Sequence, residues 1–256
     1  MTERQASTRT LAPQDVRRYH ETGILGPFAL WAPEETPSVR AMLERHFVSD
    51  SPKSESEAKT SFARSPELVE LARRPELTGR IASILGEDLF LWRTRPFIKP
   101  PRTADTAQIV PWHQDRYCWP IEPMVACSAW LAVDDVDVDN GALWVIPGSH
   151  RQVVPHVPAE PGQMFAEQAD PAHVDVDAAR PIELRAGEFC LFNERLLHRS
   201  DPNTSDRRRF GLALRILPPI VRVLQFDAPD HALVQIRGRD RLGFNRLATL
   251  DAAEAA

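Results

Sequence analysis

The chain has 256 residues, and 31 Lys+Arg against 36 Asp+Glu leave a formal net charge of −5 at pH 7. With no long basic block, that balance excludes an electrostatic nucleic-acid surface and points to a small-molecule partner. The opening run MTERQASTRTLAPQDV lacks the apolar stretch of a secretion signal, and later apolar runs are too short or too interrupted to span a bilayer. The expectation is therefore a soluble, cytoplasmic protein with no membrane partner.

In chain order, the first third reads as helical. Val39, Met42, Leu43 and Phe47 fall at helical spacing after the breaker Pro37, and Leu77, Ile81, Ile84 and Leu85 do so before Gly86. Between them, SDSPKSESEAKTS (49–61) is polar and aperiodic and reads as an exposed loop. From Leu89 the pattern changes to short apolar runs broken by Gly, Pro, Asn and Asp. LFLWRTRPFIKP, MVACSAWLAV, GALWVIPG, IELRAGEFCLF and RRFGLALRIL are the strand candidates. The fold expected is one domain over 1–256, mainly β with flanking α-helices, its jelly-roll, cupin-like core beginning at about residue 89. The stretch 152–180, rich in Pro, Asp and His, is long for a connection and reads as a rim loop or lid.

The chemistry starts in PWHQDRYCWP (111–120), which sets His113 two positions before Asp115. On a strand such a pair projects to one face and offers two of the three ligands of a 2-His-1-carboxylate metal site. The third must be a histidine from a distant strand. His198 qualifies, because it follows the β-run Phe189–Phe192 with room for several strands after Asp115. Beyond it, Phe210, Leu212, Leu214 and Ile216 alternate with Arg209, Gly211, Ala213 and Arg215. The second face sets arginine beside two very small side chains, leaving space above the backbone where an arginine of that face can hold a carboxylate in a two-pronged contact. Arg208 shares the apolar face and Arg207 stays in the preceding turn, so both are weaker candidates.

Other motifs carry less. Cys118, Cys127 and Cys190 are odd in number and lack C-x-x-C spacing, which argues against a disulfide framework or zinc ribbon. The acidic run Asp134–Gly141 fails as an EF-hand: counted from Asp135, the sixth position is Asn140 instead of glycine and the twelfth is Ile146 instead of glutamate. Asn140–Gly141 reads as a turn, as does PGSH at 147–150, so His150 stays outside the metal set.

WHQD, AWLAVDDVDVDNGALWVIPGSHR and LLHRSDPNTSDRRRFGLALR, in this order and with LAPQDVRRYHETGILGPF ahead of them, resemble the phytanoyl-CoA dioxygenase family of Fe(II)- and 2-oxoglutarate-dependent oxygenases. The resemblance covers most of the chain. It implies a double-stranded β-helix core, Fe(II) held by His113, Asp115 and His198, and 2-oxoglutarate and molecular oxygen as cosubstrates. It further implies that Arg209 grips the far carboxylate of 2-oxoglutarate and that Trp130 packs against it, with Lys99 and Gln108 as further cosubstrate or substrate contacts. Tyr117 and Trp119, beside the metal pair, are candidates for shaping the substrate pocket or for core packing.

The activity implied is hydroxylation of an unactivated C–H bond of a small molecule, with release of succinate and CO2. Related halogenases have a small residue in place of the carboxylate ligand, whereas this chain keeps Asp115. The alternatives are desaturation, cyclisation or epimerisation by the same oxidising chemistry, a cupin enzyme using another metal, and a non-catalytic jelly-roll binding module.

Overall fold

The structure is a computed structural model that describes residues 9–48, 54–102 and 109–248. The five α-helices among these residues are α1 (Pro13–Thr22), α2 (Thr36–Phe47), α3 (Glu55–Thr60), α4 (Pro66–Arg73) and α5 (Pro75–Leu85). All but α3 carry proline in the first turn, where its missing N–H costs nothing. The expected loop at 49–61 is corrected in its second half, where Ser54 caps α3. Its hydroxyl accepts the Glu57 N–H, and the Glu57 carboxylate accepts the Ser54 N–H. Polarity and missing apolar periodicity concealed a helix whose start signal, S-x-x-E, was present. Residues 49–53 lie outside the described residues.

The strands are β1 (Ile24–Ala29), β2 (Leu89–Lys99), β3 (Val110–His113), β4 (Ile121–Glu122), β5 (Cys127–Ala132), β6 (Leu143–Val145) and β7 (His156–Pro158). They continue with β8 (Glu167–Ala169), β9 (Arg180–Ile182), β10 (Glu188–Asn193), β11 (His198–Ser200), β12 (Arg209–Leu217), β13 (Arg222–Val223) and β14 (Val234–Arg237). A six-stranded sheet runs β1-β10-β5-β12-β2-β14, and a four-stranded sheet runs β3-β11-β6-β9. All of their pairings are antiparallel. The candidate IELRAGEFCLF divides into β9 and β10 at a turn where Gly187 takes φ +93°.

Alternation along the large sheet sorts side chains into two cores. Cys127, Ala129 and Leu131 of β5 and Phe210, Leu212, Leu214 and Ile216 of β12 pack outward against Val39, Leu43, Leu68, Leu77 and Ile81 of the helices. Trp130, Ala132, Cys190, Phe192 and Ala213 point the other way and meet Leu143 and Val145 of the smaller sheet. Two sheets closed over a shared core, with helices on one outer face, make the jelly-roll, double-stranded β-helix architecture.

One irregularity decides what faces inward. Along β2, Arg93 lies opposite Arg215, but Leu91 lies opposite Ile216, so Trp92 is an extra residue. Before this bulge Leu89 and Leu91 face the helices. After it Arg95, Phe97 and Lys99 stand opposite Ala213, Gly211 and Arg209, on the inward face.

The open space expected above Gly211 is filled. The Trp130 indole lies directly over its Cα, and a Cβ built there would overlap the ring. Trp130 is buried, so a shift of its ring disturbs the surrounding core. Gly211→Ala therefore lowers stability by about 1–3 kcal/mol through overpacking, measured by urea unfolding; an unchanged midpoint would contradict this packing.

Candidate metal centre

His113 ends β3 and lies opposite His198, the first residue of β11. Asp115 does not share their sheet, which corrects the strand-face expectation: it opens a 3-10 turn, Asp115–Cys118. Gln114 between them stays extended (φ −108°, ψ 129°), so the two-residue alternation persists one step beyond the strand and still carries Asp115 inward. One ligand atom from each of His113, Asp115 and His198 lies within 4.8 Å of the others, and all three residues are buried. No other cluster of this kind occurs among the described residues.

The imidazoles are prepared as ligands. Nδ1 of His113 lies 2.9 Å from the Pro111 carbonyl and Nδ1 of His198 lies 2.9 Å from the Leu196 carbonyl. Each carbonyl fixes the proton on Nδ1 and leaves the Nε2 lone pair free. Burial holds both rings below the usual histidine pKa, reinforced at His113 by the neighbouring His198 ring and opposed at His198 by the Asp115 carboxylate. Two neutral imidazoles and one carboxylate are the donor set of non-haem iron sites.

Arg215 flanks the carboxylate. Its Nη2 donates to Asp115 Oδ1 at 3.2 Å, and Nη1 lies 2.8 Å from Oδ2. That second approach is not aligned as a hydrogen bond, so Asp115 Oδ2 keeps acceptor capacity although it is buried.

Arg209 is almost wholly enclosed, at 1% exposure. Its Nη2 donates to the Gly141 carbonyl at 2.7 Å and Nη1 to the Phe97 carbonyl at 3.3 Å, while Nε has no partner. Burial alone lowers its pKa to about 9, so it remains a cation at neutral pH. Lys99 stands opposite it across the β2–β12 pair and donates to the Asp201 backbone carbonyl. Burial, and next the Arg209 charge, lower the lysine pKa to about 7. Among the described residues neither cation makes an ion pair with a carboxylate: Asp201 pairs with Arg199 and only partly offsets the Lys99 charge from further away, and buried charges are rarely left so. Arg209, Trp130, Phe97 and Ser200 line a narrow pocket that reaches His113 and His198. The orphaned guanidinium Nε and the doubled positive charge suit a small dianion lodged beside the metal cluster.

The remaining expectations divide. Trp130 faces inward, its ring 5.3 Å from the Arg209 guanidinium carbon. Tyr117 and Trp119 both line a second cavity of about 250 Å³ that opens onto His113 and Asp115. Each also packs as structure: Tyr117 stacks on His156 at 4.3 Å, and Trp119 meets Trp92 edge-on at 5.4 Å. Gln108 lies outside the described residues. His150 binds the His20 carbonyl, away from the cluster. Arg207 pairs with Asp137, and Arg208 with Asp134 and Glu44.

The sequence reading missed Gln114, Phe165, Arg93 and Arg95. Gln114 lies between two metal-ligand candidates and ties down the base of the 152–180 excursion. Its side-chain amide donates to Gln152 O at 2.8 Å and to Arg195 O at 2.6 Å, its carbonyl accepts Val154 N–H at 3.0 Å, and its own N–H reaches His156 Nε2 at 3.2 Å. Phe165, further along that excursion, packs edge-on to His113 at 4.7 Å. No local pattern announces a residue that satisfies three remote backbone groups. Arg93 and Arg95 were legible only through the phase change at Trp92.

Gln114→Ala strips partners from three backbone groups and costs about 1–3 kcal/mol. Limited proteolysis should show faster cleavage within 152–180; cleavage unchanged from wild type would contradict the anchoring role.

A jelly roll that gathers two histidines and a carboxylate on its inner wall defines a cupin-like metalloenzyme scaffold. A family model described as phytanoyl-CoA dioxygenase (PhyH) matches residues 19–211, and the chain belongs to that family. It is 27% identical over 213 residues to the ectoine dioxygenase of Nocardia farcinica, covering 72% of this chain and 70% of that protein. It is 29% identical over 161 residues to a probable phytanoyl-CoA dioxygenase of Caenorhabditis elegans, covering 59% of this chain and 51% of that protein. Among solved structures, the non-heme monooxygenase ThoJ in its apo form superposes with TM-score 0.71 at 25% identity, over 88% of this chain and 84% of that one. CytC3 superposes with TM-score 0.68 at 25% identity, over 93% of each chain.

Proposed function

We propose that His113, Asp115 and His198 hold Fe(II), that Arg209 grips the distal carboxylate of 2-oxoglutarate, and that the enzyme hydroxylates an unactivated C–H bond of a small molecule. Its family makes the chain a 2-oxoglutarate-dependent non-haem iron dioxygenase. The observation that carries the residue assignments is the adjacency of a buried His–Asp–His cluster to two buried cations that make no ion pair with a carboxylate among the described residues. A binding module has no use for either feature, and a cupin enzyme without a cosubstrate has no use for the second.

Bound together, Fe(II), 2-oxoglutarate and oxygen supply an oxidant able to attack a C–H bond, with succinate and CO2 as coproducts. The chain's own residues bind, orient and exclude. His113 and His198 present Nε2, while Arg215 orients the Asp115 carboxylate and offsets its charge. Arg209 and Lys99 neutralise the far end of the cosubstrate, and Trp130 packs the wall beside it. Tyr117, Trp119 and Phe165 line the outer cavity and keep water from the metal side. Retention of Asp115 favours hydroxylation, because the protein keeps all three ligand positions. A cavity of about 250 Å³ is at the small end for ligand clefts, which suits a free small molecule better than a bulky carrier thioester.

Under anaerobic conditions, 2-oxoglutarate added to the Fe(II) protein gives a weak visible charge-transfer band. His198→Ala loses the band and most iron retention while its circular dichroism stays native; retained iron and band would contradict the ligand set. Arg209→Ala weakens 2-oxoglutarate binding about ten- to a hundredfold with iron binding unchanged, and Arg209→Lys falls between. Unchanged affinity in the alanine variant would overturn the Arg209 assignment.

Lys99 sets a pH dependence. Its cation is present below about pH 7 and is lost as pH rises through that value. A bound dianion raises its pKa, so binding takes up a proton and 2-oxoglutarate affinity falls as pH rises above 7. Lys99→Met flattens that fall in an anaerobic titration series; a slope identical to wild type would remove Lys99 from the contact.

A further inference from the structure

The outer cavity carries a charge imbalance that the metal centre and cosubstrate do not use. Lys59 of α3 and Arg93 and Arg95 of β2 line it with Glu55, and Asp227 stands behind. Arg93 closes a two-pronged pair with Asp227 at 2.5 and 2.6 Å, and the same carboxylate lies 3.3 Å from His231. Asp227 is thereby spoken for, with Lys59 only at 4.0 Å. The remaining two cations share one acid: Lys59 lies 2.9 Å from Glu55 and Arg95 lies 3.4 Å from the same oxygen.

Arg95 is the undersatisfied member, a planar five-donor fork that approaches a single oxygen of a shared carboxylate. Its guanidinium sits over the rings of Phe97 and Phe165, at 5.3 and 5.0 Å, and Phe165 in turn packs on His113. One aromatic ring thus separates Arg95 from the metal cluster. Glu55 is 61% exposed at the cavity mouth, and Lys59 and next Arg95 help hold its carboxyl below the ordinary range. An exposed pair of this kind contributes little, so exchanging Glu55 for another carboxylate costs little.

We propose that the outer cavity selects a substrate bearing a carboxylate, which Arg95 receives in place of Glu55 with Lys59 alongside. The apolar body of that substrate lies between Tyr117, Trp119 and Phe165, with its reacting carbon toward His113 and Asp115. The substrate class is therefore a small carboxylic acid with an aromatic or aliphatic body. This rests on the outer cavity being the substrate side of the dioxygenase centre proposed above.

The test is calorimetric titration of the anaerobic Fe(II)–2-oxoglutarate protein with 3-phenylpropanoate and with its neutral isostere, 3-phenylpropanamide. The acid binds about tenfold more tightly than the amide, and Arg95→Gln abolishes that margin without weakening the amide. Glu55→Gln, an exposed change with little bearing on folding, widens the margin about threefold by removing the competing charge. Equal affinities, a margin that survives in Arg95→Gln, or no binding of the acid overturns the proposal. 2-Oxoglutarate is titrated into the same preparations first. Its failure to bind would refute the dioxygenase centre, whereas normal binding with no acid preference refutes only the substrate class.

Discussion

Two arginines buried on the inward face of β12 are the constraint around which this fold is organised. Arg209 and Arg215 are 1% and 6% exposed, in a layer otherwise filled by Trp130, Phe192 and Ala213. Charges so placed cost several kcal/mol unless they are answered. Arg215 is answered by Asp115, which couples the strand that builds the sheet core to the turn that carries the carboxylate of the proposed metal site. Arg209 receives two backbone carbonyls and no acid among the described residues. In the function proposed here, the far carboxylate of the cosubstrate completes that arrangement.

The rest of the architecture serves that layer. Helices α2, α4 and α5 cover the outer face of the large sheet and take the apolar alternation of β5, β10 and β12. The inward alternation is thereby free to hold polar groups. The bulge at Trp92 then turns Arg95, Phe97 and Lys99 into the same interior. A strand that supplied core apolar residues at one end supplies the cavity wall at the other. Local disruption of a ladder next to a functional site is the usual role of such a bulge.

Much of this was legible from residue types and spacing. The inward set on β12 followed from simple alternation because the strand is regular, the His113–Asp115 pair followed from ligand chemistry, and the family resemblance singled out His198 as their partner. What was hidden depended on partners remote in the chain. Trp130 fills the space over Gly211 from a neighbouring strand, Gln114 satisfies carbonyls of Gln152 and Arg195, and a polar helix, α3, closes the cavity mouth against β2. The phase of β2 was hidden because one inserted residue reverses every later side chain, and periodicity alone does not reveal an insertion.

The most direct test of the central claim is an anaerobic crystal structure with Fe(II) and 2-oxoglutarate bound, with iron located by its anomalous scattering. The account predicts the iron peak between Nε2 of His113, Nε2 of His198 and a carboxylate oxygen of Asp115, with the far carboxylate of 2-oxoglutarate on the Arg209 guanidinium beside Trp130. An iron peak away from these three atoms, or a cosubstrate carboxylate held by Arg95 or Arg93 in the outer cavity, would contradict it.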